Sequence, residues 1–224
     1  MLLDALRGGF SFTDFIIYTI SAIVVIFITL PVHEFAHGFI ATKLGDPTPK
    51  YQGRLTLNPF AHIDYIGALM IIVAGFGWAR PVQVDARNFK NAKVGMALTA
   101  LAGPVSNLIV ALISMLIFYT ITFFTQLNGF FTYIGLLFLY VASINISLAV
   151  FNLIPIPPLD GSRLLSAFLP NRIYYKLMSF ERYFFLIIML LIFTGFLDYP
   201  LDFLYNIIFR GIEHLAALPF KLFM

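Results

Sequence analysis

The stretch VVIFITLPVHEFAHGFIATKLG, residues 24–45, decides the reading of this chain. It is apolar enough to lie in lipid, yet two histidines and a glutamate stand at its end. Ionisable groups at bilayer depth are costly, and their presence there is by default a statement about function. On a helix His33 and His37, four residues apart, project from one face and can hold one metal ion, with Glu34 beside them.

The surrounding composition supports the membrane setting. The 224 residues are 60% hydrophobic and only 11% charged, where a soluble domain carries about 25% charged residues. Mean hydropathy is +0.91. Five segments read as candidate spans of the roughly 20 residues a bilayer core requires: 14–43, 94–124, 130–155, 183–197 and 201–219, the last open between a short return span and an interfacial amphipathic helix. The expected architecture is an all-α polytopic membrane protein with about five to six transmembrane helices. It forms one membrane domain over 1–224, with its core at about 14–170 and further helices at 183–224. The N-terminal MLLDALRGGFSFTD has an acid among its first residues and no small-residue cleavage site, so the first span reads as uncleaved.

Charge distribution orients the chain. Lys43, Lys50, Arg54, Arg80, Arg87, Lys90 and Lys93 flank the short apolar piece IGALMIIVAGFGWA, residues 66–79. Basic loops stay cytoplasmic, so this piece reads as re-entrant or as packed inside the protein, where irregular backbone is tolerated at membrane depth. The uncharged FTQLNGFFTY, residues 124–133, then falls outside, and the loop with Arg163, Arg172, Lys176 and Arg182 falls inside. HEFAH lies near the cytoplasmic face of the cell membrane. The net charge of +3 is small and reflects this topology, not nucleic-acid binding. Residues 50–57, KYQGRLTL, and 80–85, RPVQVD, alternate with the period of a strand, which predicts a small cytoplasmic-side β-hairpin or sheet.

With no cysteine, a transition-metal site must use His, Asp and Glu, and zinc suits two imidazoles plus one further protein ligand with an open position. Asp160 lies at the cytoplasmic end of the third full span, at the level predicted for the histidines. Its alternative role is to cap the helix that follows. His62 reads as an ordinary hydrogen-bonded loop histidine and His214 as a polar-face residue. Prolines 155, 157 and 158 rule out regular helix before Asp160, and Pro31 kinks the first span. Asn152, eight residues before Asp160, reads as an amide donor to a substrate carbonyl or its oxyanion. Asn107 is open between that role and interhelical hydrogen bonding. Gly103 and Pro104 permit close helix approach.

HEFAH (33–37), AGPVSN (102–107) and FNLIPIPPLDG (151–161) together resemble, in order and spacing, the site-2 protease family of intramembrane zinc metalloproteases, peptidase family M50, in a compact type without PDZ or CBS domains. The resemblance spans roughly residues 20–170. It implies Zn2+ on His33, His37 and Asp160, Glu34 as catalytic acid and base, and Asn152 with Asn107 at the substrate. It also implies a hairpin that presents the substrate as an extended strand. The expected partners are a transmembrane protein or peptide substrate and the lipid bilayer, with no nucleic acid; a homo-oligomer is left open. A membrane metal transporter and a non-proteolytic scaffold are the rival classes.

Overall fold

The computed structural model describes residues 11–74 and 78–221. The first span is one continuous rod of three pieces: α1 (Phe12–Val24), a π turn (Val25–Thr29) and α2 (Leu30–Lys43). Ser11 starts it with a capping box, its hydroxyl accepting from Asp14 N–H at 3.1 Å while Asp14 accepts from Ser11 N–H. The π turn precedes Pro31, which has no N–H to give. Leu30 N–H reaches five residues back to Val25, so the wide turn absorbs the misfit and the helix continues.

Short elements follow at one end of this rod: α3 (Thr48–Tyr51), α4 (Pro59–His62), α5 (Tyr65–Ala74) and a 3-10 turn (Ala86–Asn88). Two long helices come next, α6 (Ala92–Thr125) and α7 (Phe130–Asn152), then α8 (Asp160–Phe168), α9 (Asn171–Ser179), α10 (Glu181–Phe193) and α11 (Asp198–Lys221). Asn91 caps α6 through Val94 N–H at 3.2 Å. The α6 to α7 turn closes through left-handed Gln126 and Leu127 and Gly129, which makes the two helices antiparallel neighbours.

Helix α6 is the hub, packing against α2, α7, α8 and α11. One core lies between the first span, α5 and α7, built on Tyr18, Val25, Ile26, Ile71, Val141 and Ile144. A second joins α6, α7 and α11 through Ala111, Met115, Ala142, Ile146 and Ala216. The many alanines matter because helices in lipid gain little from apolar burial and associate through close packing and hydrogen bonds. Ser21 donates to Leu137 O at 3.1 Å and Asn145 to Thr29 at 3.4 Å, both joining the first span to α7.

Among the described residues three helices are long and apolar enough to cross a membrane: Phe12–Lys43, Ala92–Thr125 and Phe130–Asn152. The chain is a membrane protein on this ground. Helix α5, with 10 residues, is about 15 Å long and cannot cross a core of about 30 Å.

The strand expectation is corrected. No β-strand forms among the described residues. Pro47 and Pro49 turn residues 48–51 into a helical turn, and Gly53, at φ +66°, ends it. Residues 80–85 lack regular structure and pair with no strand. They are held instead by side chains and loop backbone: Arg80 N–H donates to His62 O at 2.7 Å, and Asp85 N–H to Asp46 at 2.8 Å.

Candidate metal centre

Three elements bring His33, His37 and Asp160 together. The histidines sit one turn apart on α2, both buried. Asp160 opens α8, because the run after Asn152 turns irregularly through its prolines and the helix restarts only at residue 160. Gly161 is needed there: a Cβ would lie 2.3 Å from Leu153 O. Helix α8 is pinned to the start of α6 by Lys93, whose ammonium donates to Leu169 O at 2.9 Å, and by Ser166, which donates to Lys93 O at 3.3 Å.

The facing atoms are Nε2 of both histidines, 3.0 Å apart, and Asp160 Oδ2, 3.1 Å from His37 Nε2 and 3.3 Å from His33 Nε2. Helix α6 fixes the tautomers from behind. His37 Nδ1 lies 2.7 Å from Thr99 O, a carbonyl that only accepts, so the proton is on Nδ1. His33 Nδ1 lies 3.3 Å from Asn107 Oδ1 and donates likewise. Both Nε2 atoms are then bare lone pairs.

Two unprotonated nitrogens and a carboxylate oxygen converge with no donor among them, which only a cation or an added proton relieves. Ligands 2.0–2.1 Å from a tetrahedral ion stand about 3.3 Å apart, close to the spacing found. The donor set and its spacing fit zinc. Gly103, between Thr99 and Asn107 on the same face of α6, makes the approach feasible: a Cβ there would fall 2.3 Å from His37 Nε2 and 2.5 Å from His33 Cε1.

A cavity of about 360 Å³ opens on this cluster, with Glu34, Asn152 and Arg163 in its lining beside the three convergent residues. One Glu34 oxygen accepts from Val82 N–H at 2.9 Å. Asn152 lines the cavity with its amide unpaired among the described residues. Asn107 does not line it; fully buried, it stands behind His33. His62 lies apart, buried and donating from Nε2 to Thr56 O at 2.8 Å, and His214 is exposed on α11. Sequence reasoning missed Thr99 and Val82, because both act through backbone atoms that residue type does not report.

Outside the spans, Asp46 clasps the loops beside the site. It is wholly buried and accepts from Thr48 Oγ1 at 2.5 Å, Asn88 Nδ2 at 2.7 Å and Asp85 N–H at 2.8 Å. Burial alone would raise its carboxyl, but these donors outweigh it and hold the group below its ordinary value.

A profile of peptidase family M50 matches residues 21–195. The chain is 40% identical over 193 residues, 84% of its own length and 88% of the relative's, to "Putative zinc metalloprotease YwhC" of Bacillus subtilis. It is 30% identical over 175 residues, 76% of this chain and 65% of the relative, to "Putative zinc metalloprotease Rip2" of Mycolicibacterium smegmatis. The same-named protein of Mycobacterium tuberculosis is 33% identical over 138 residues, 60% of this chain and 51% of that one. No solved structure matches the chain. A family match over most of the chain, including the three residues that converge here, makes it a member of peptidase family M50, the site-2 protease family of zinc metalloproteases.

Proposed function

We propose that this protein is an intramembrane endopeptidase that hydrolyses a peptide bond within or near a transmembrane segment of a membrane protein, as in regulated intramembrane proteolysis. The observation that carries the reading is the convergence of three bare acceptor atoms, beside Glu34, in a cavity at the end of an apolar span. His33, His37 and Asp160 hold the metal. When bound, zinc supplies Lewis-acid chemistry that brings the ionisation of water from 15.7 to about 7.

Glu34 takes the proton of the attacking water and returns it to the leaving amine. Val82 N–H fixes one of its oxygens and leaves the other to work. Asn152 donates to the carbonyl oxygen of the scissile bond as charge develops there, while Asn107 acts from behind by orienting His33. A helical substrate must unwind first, since its carbonyls are hydrogen-bonded and covered. Substrates with helix-weakening residues are therefore preferred.

The whole chain, 1–224, forms one membrane protease domain. Residues 66–74 enter a re-entrant segment or pack inside the protein, and the remainder of the piece expected at 66–79 includes 75–77, which lie outside the described residues. Residues 183–197 supply a further membrane helix, and 201–219 a short return pass or an interfacial amphipathic helix. Ile188 and Ile192 of α10 line the cavity, which supports a place for this helix beside the core. The asymmetry of Lys and Arg puts the site near the cytoplasmic side of the cell membrane.

Cleavage of a synthetic transmembrane peptide in liposomes tests the proposal, comparing wild type with Glu34→Gln. Retained zinc with cleavage lost by at least a hundredfold is expected. Loss of zinc in Glu34→Gln would make Glu34 a ligand, and zinc flux across the liposomes without cleavage would favour a transporter.

A further inference from the structure

Among the polar residues lining the cavity, five have work under the reading above, and Arg163 has none. It follows Asp160 by three residues on α8, so the two side chains neighbour each other along one helix face. It is half-buried. Among the described residues it has no hydrogen bond or ion pair. The adjoining wall is apolar, with Leu148, Phe151 and Ile188. Its guanidinium N–H groups, with no partner among the described residues, are available to an anion that enters the cavity beside this wall. The helix that carries it is fixed by the Lys93 and Ser166 bonds already described, so its position relative to the cluster is set in advance of any substrate.

We infer that Arg163 is a specificity residue, an anionic subsite that takes a carboxylate carried by the substrate close to the scissile bond. The planar fork of a guanidinium matches a carboxylate with two parallel hydrogen bonds. Glu34 and Asp160 offset the charge of a divalent ion, so the positive charge left to meet an incoming group is that of Arg163. The carboxylate comes either from an acidic side chain or from the free C-terminus of a short substrate tail. This inference rests on the protease reading.

The test compares three peptides sharing one transmembrane segment. The first carries glutamate, moved position by position across the residues flanking the cleavage point, with an amidated C-terminus. The second has glutamine there and a free terminal carboxylate a few residues on. The third has glutamine and an amidated terminus. Wild type should favour one or both carboxylate peptides over the neutral one in kcat/KM by about tenfold to a hundredfold. Arg163→Gln should bring that ratio close to one, and Arg163→Lys should keep part of it.

A preference confined to the glutamate peptides assigns the side chain as ligand, and one confined to the free terminus assigns the chain end. Equal losses on all three peptides in Arg163→Gln, or a wild type without preference, would overturn the inference. So would loss of bound zinc in both Arg163 variants, which would make the residue structural. Failure of the protease reading looks different: no peptide, the neutral one included, is cut by wild type.

Discussion

Gly103 leaves the imidazoles of His33 and His37 no room for a side chain on α6, and that single close approach positions the cluster from behind. Gly103→Ala should lose bound zinc while keeping its helical circular dichroism, since the added carbon would fall 2.3 Å from His37 Nε2. Asn107→Ala removes the acceptor that orients His33, and a fall of roughly 10- to 100-fold in zinc affinity is expected from chelator competition. The convergence of His33, His37 and Asp160 was legible because their spacing and residue types are those of a metal-ligand set. Asn107 was legible only as a polar residue in a span, since its role depends on which neighbour faces it. Val82 and Thr99 contribute a backbone N–H and a carbonyl that every residue has, and nothing in their side chains marks them.

At the scale of elements, the long spans follow from length and apolarity, and the irregular run before Asp160 follows from its prolines. Alternation at 50–57 and 80–85 misled, because a strand also needs a partner, and Pro47 and Pro49 had already committed one segment to a turn. What holds the other segment is the Asp46 clasp. Its carboxyl lies below the ordinary range in the folded protein. The clasp is therefore intact above the unfolded value, about 3.9, and is lost as pH falls through the lower folded one. Asp46→Asn should weaken the loops by about 1.5–3 kcal/mol at pH 7. Amide exchange over residues 82–89 should show this, with the gap between variant and wild type closing on acidification below about pH 4.

For the whole molecule, the proposed topology sets the basic loops and the uncharged 124–133 connection on opposite faces of the membrane. The chain has no cysteine, so single-cysteine variants report topology without background. Lys90→Cys should be labelled by an impermeant maleimide only from the cytoplasmic side and Asn128→Cys only from the other; the reverse would invert the orientation. The site's depth in the bilayer follows from that orientation, but its chemistry rests on the metal. The most direct measurement is X-ray absorption at the zinc edge on purified protein, with zinc stoichiometry, for wild type and Asp160→Ala. One zinc per chain is predicted, with two imidazole nitrogens at about 2.0–2.1 Å and a carboxylate oxygen at about 2.0–2.2 Å, and the oxygen scattering should diminish with weakened binding in Asp160→Ala. A zinc environment that Asp160→Ala leaves unchanged, or no zinc at all, would contradict the account.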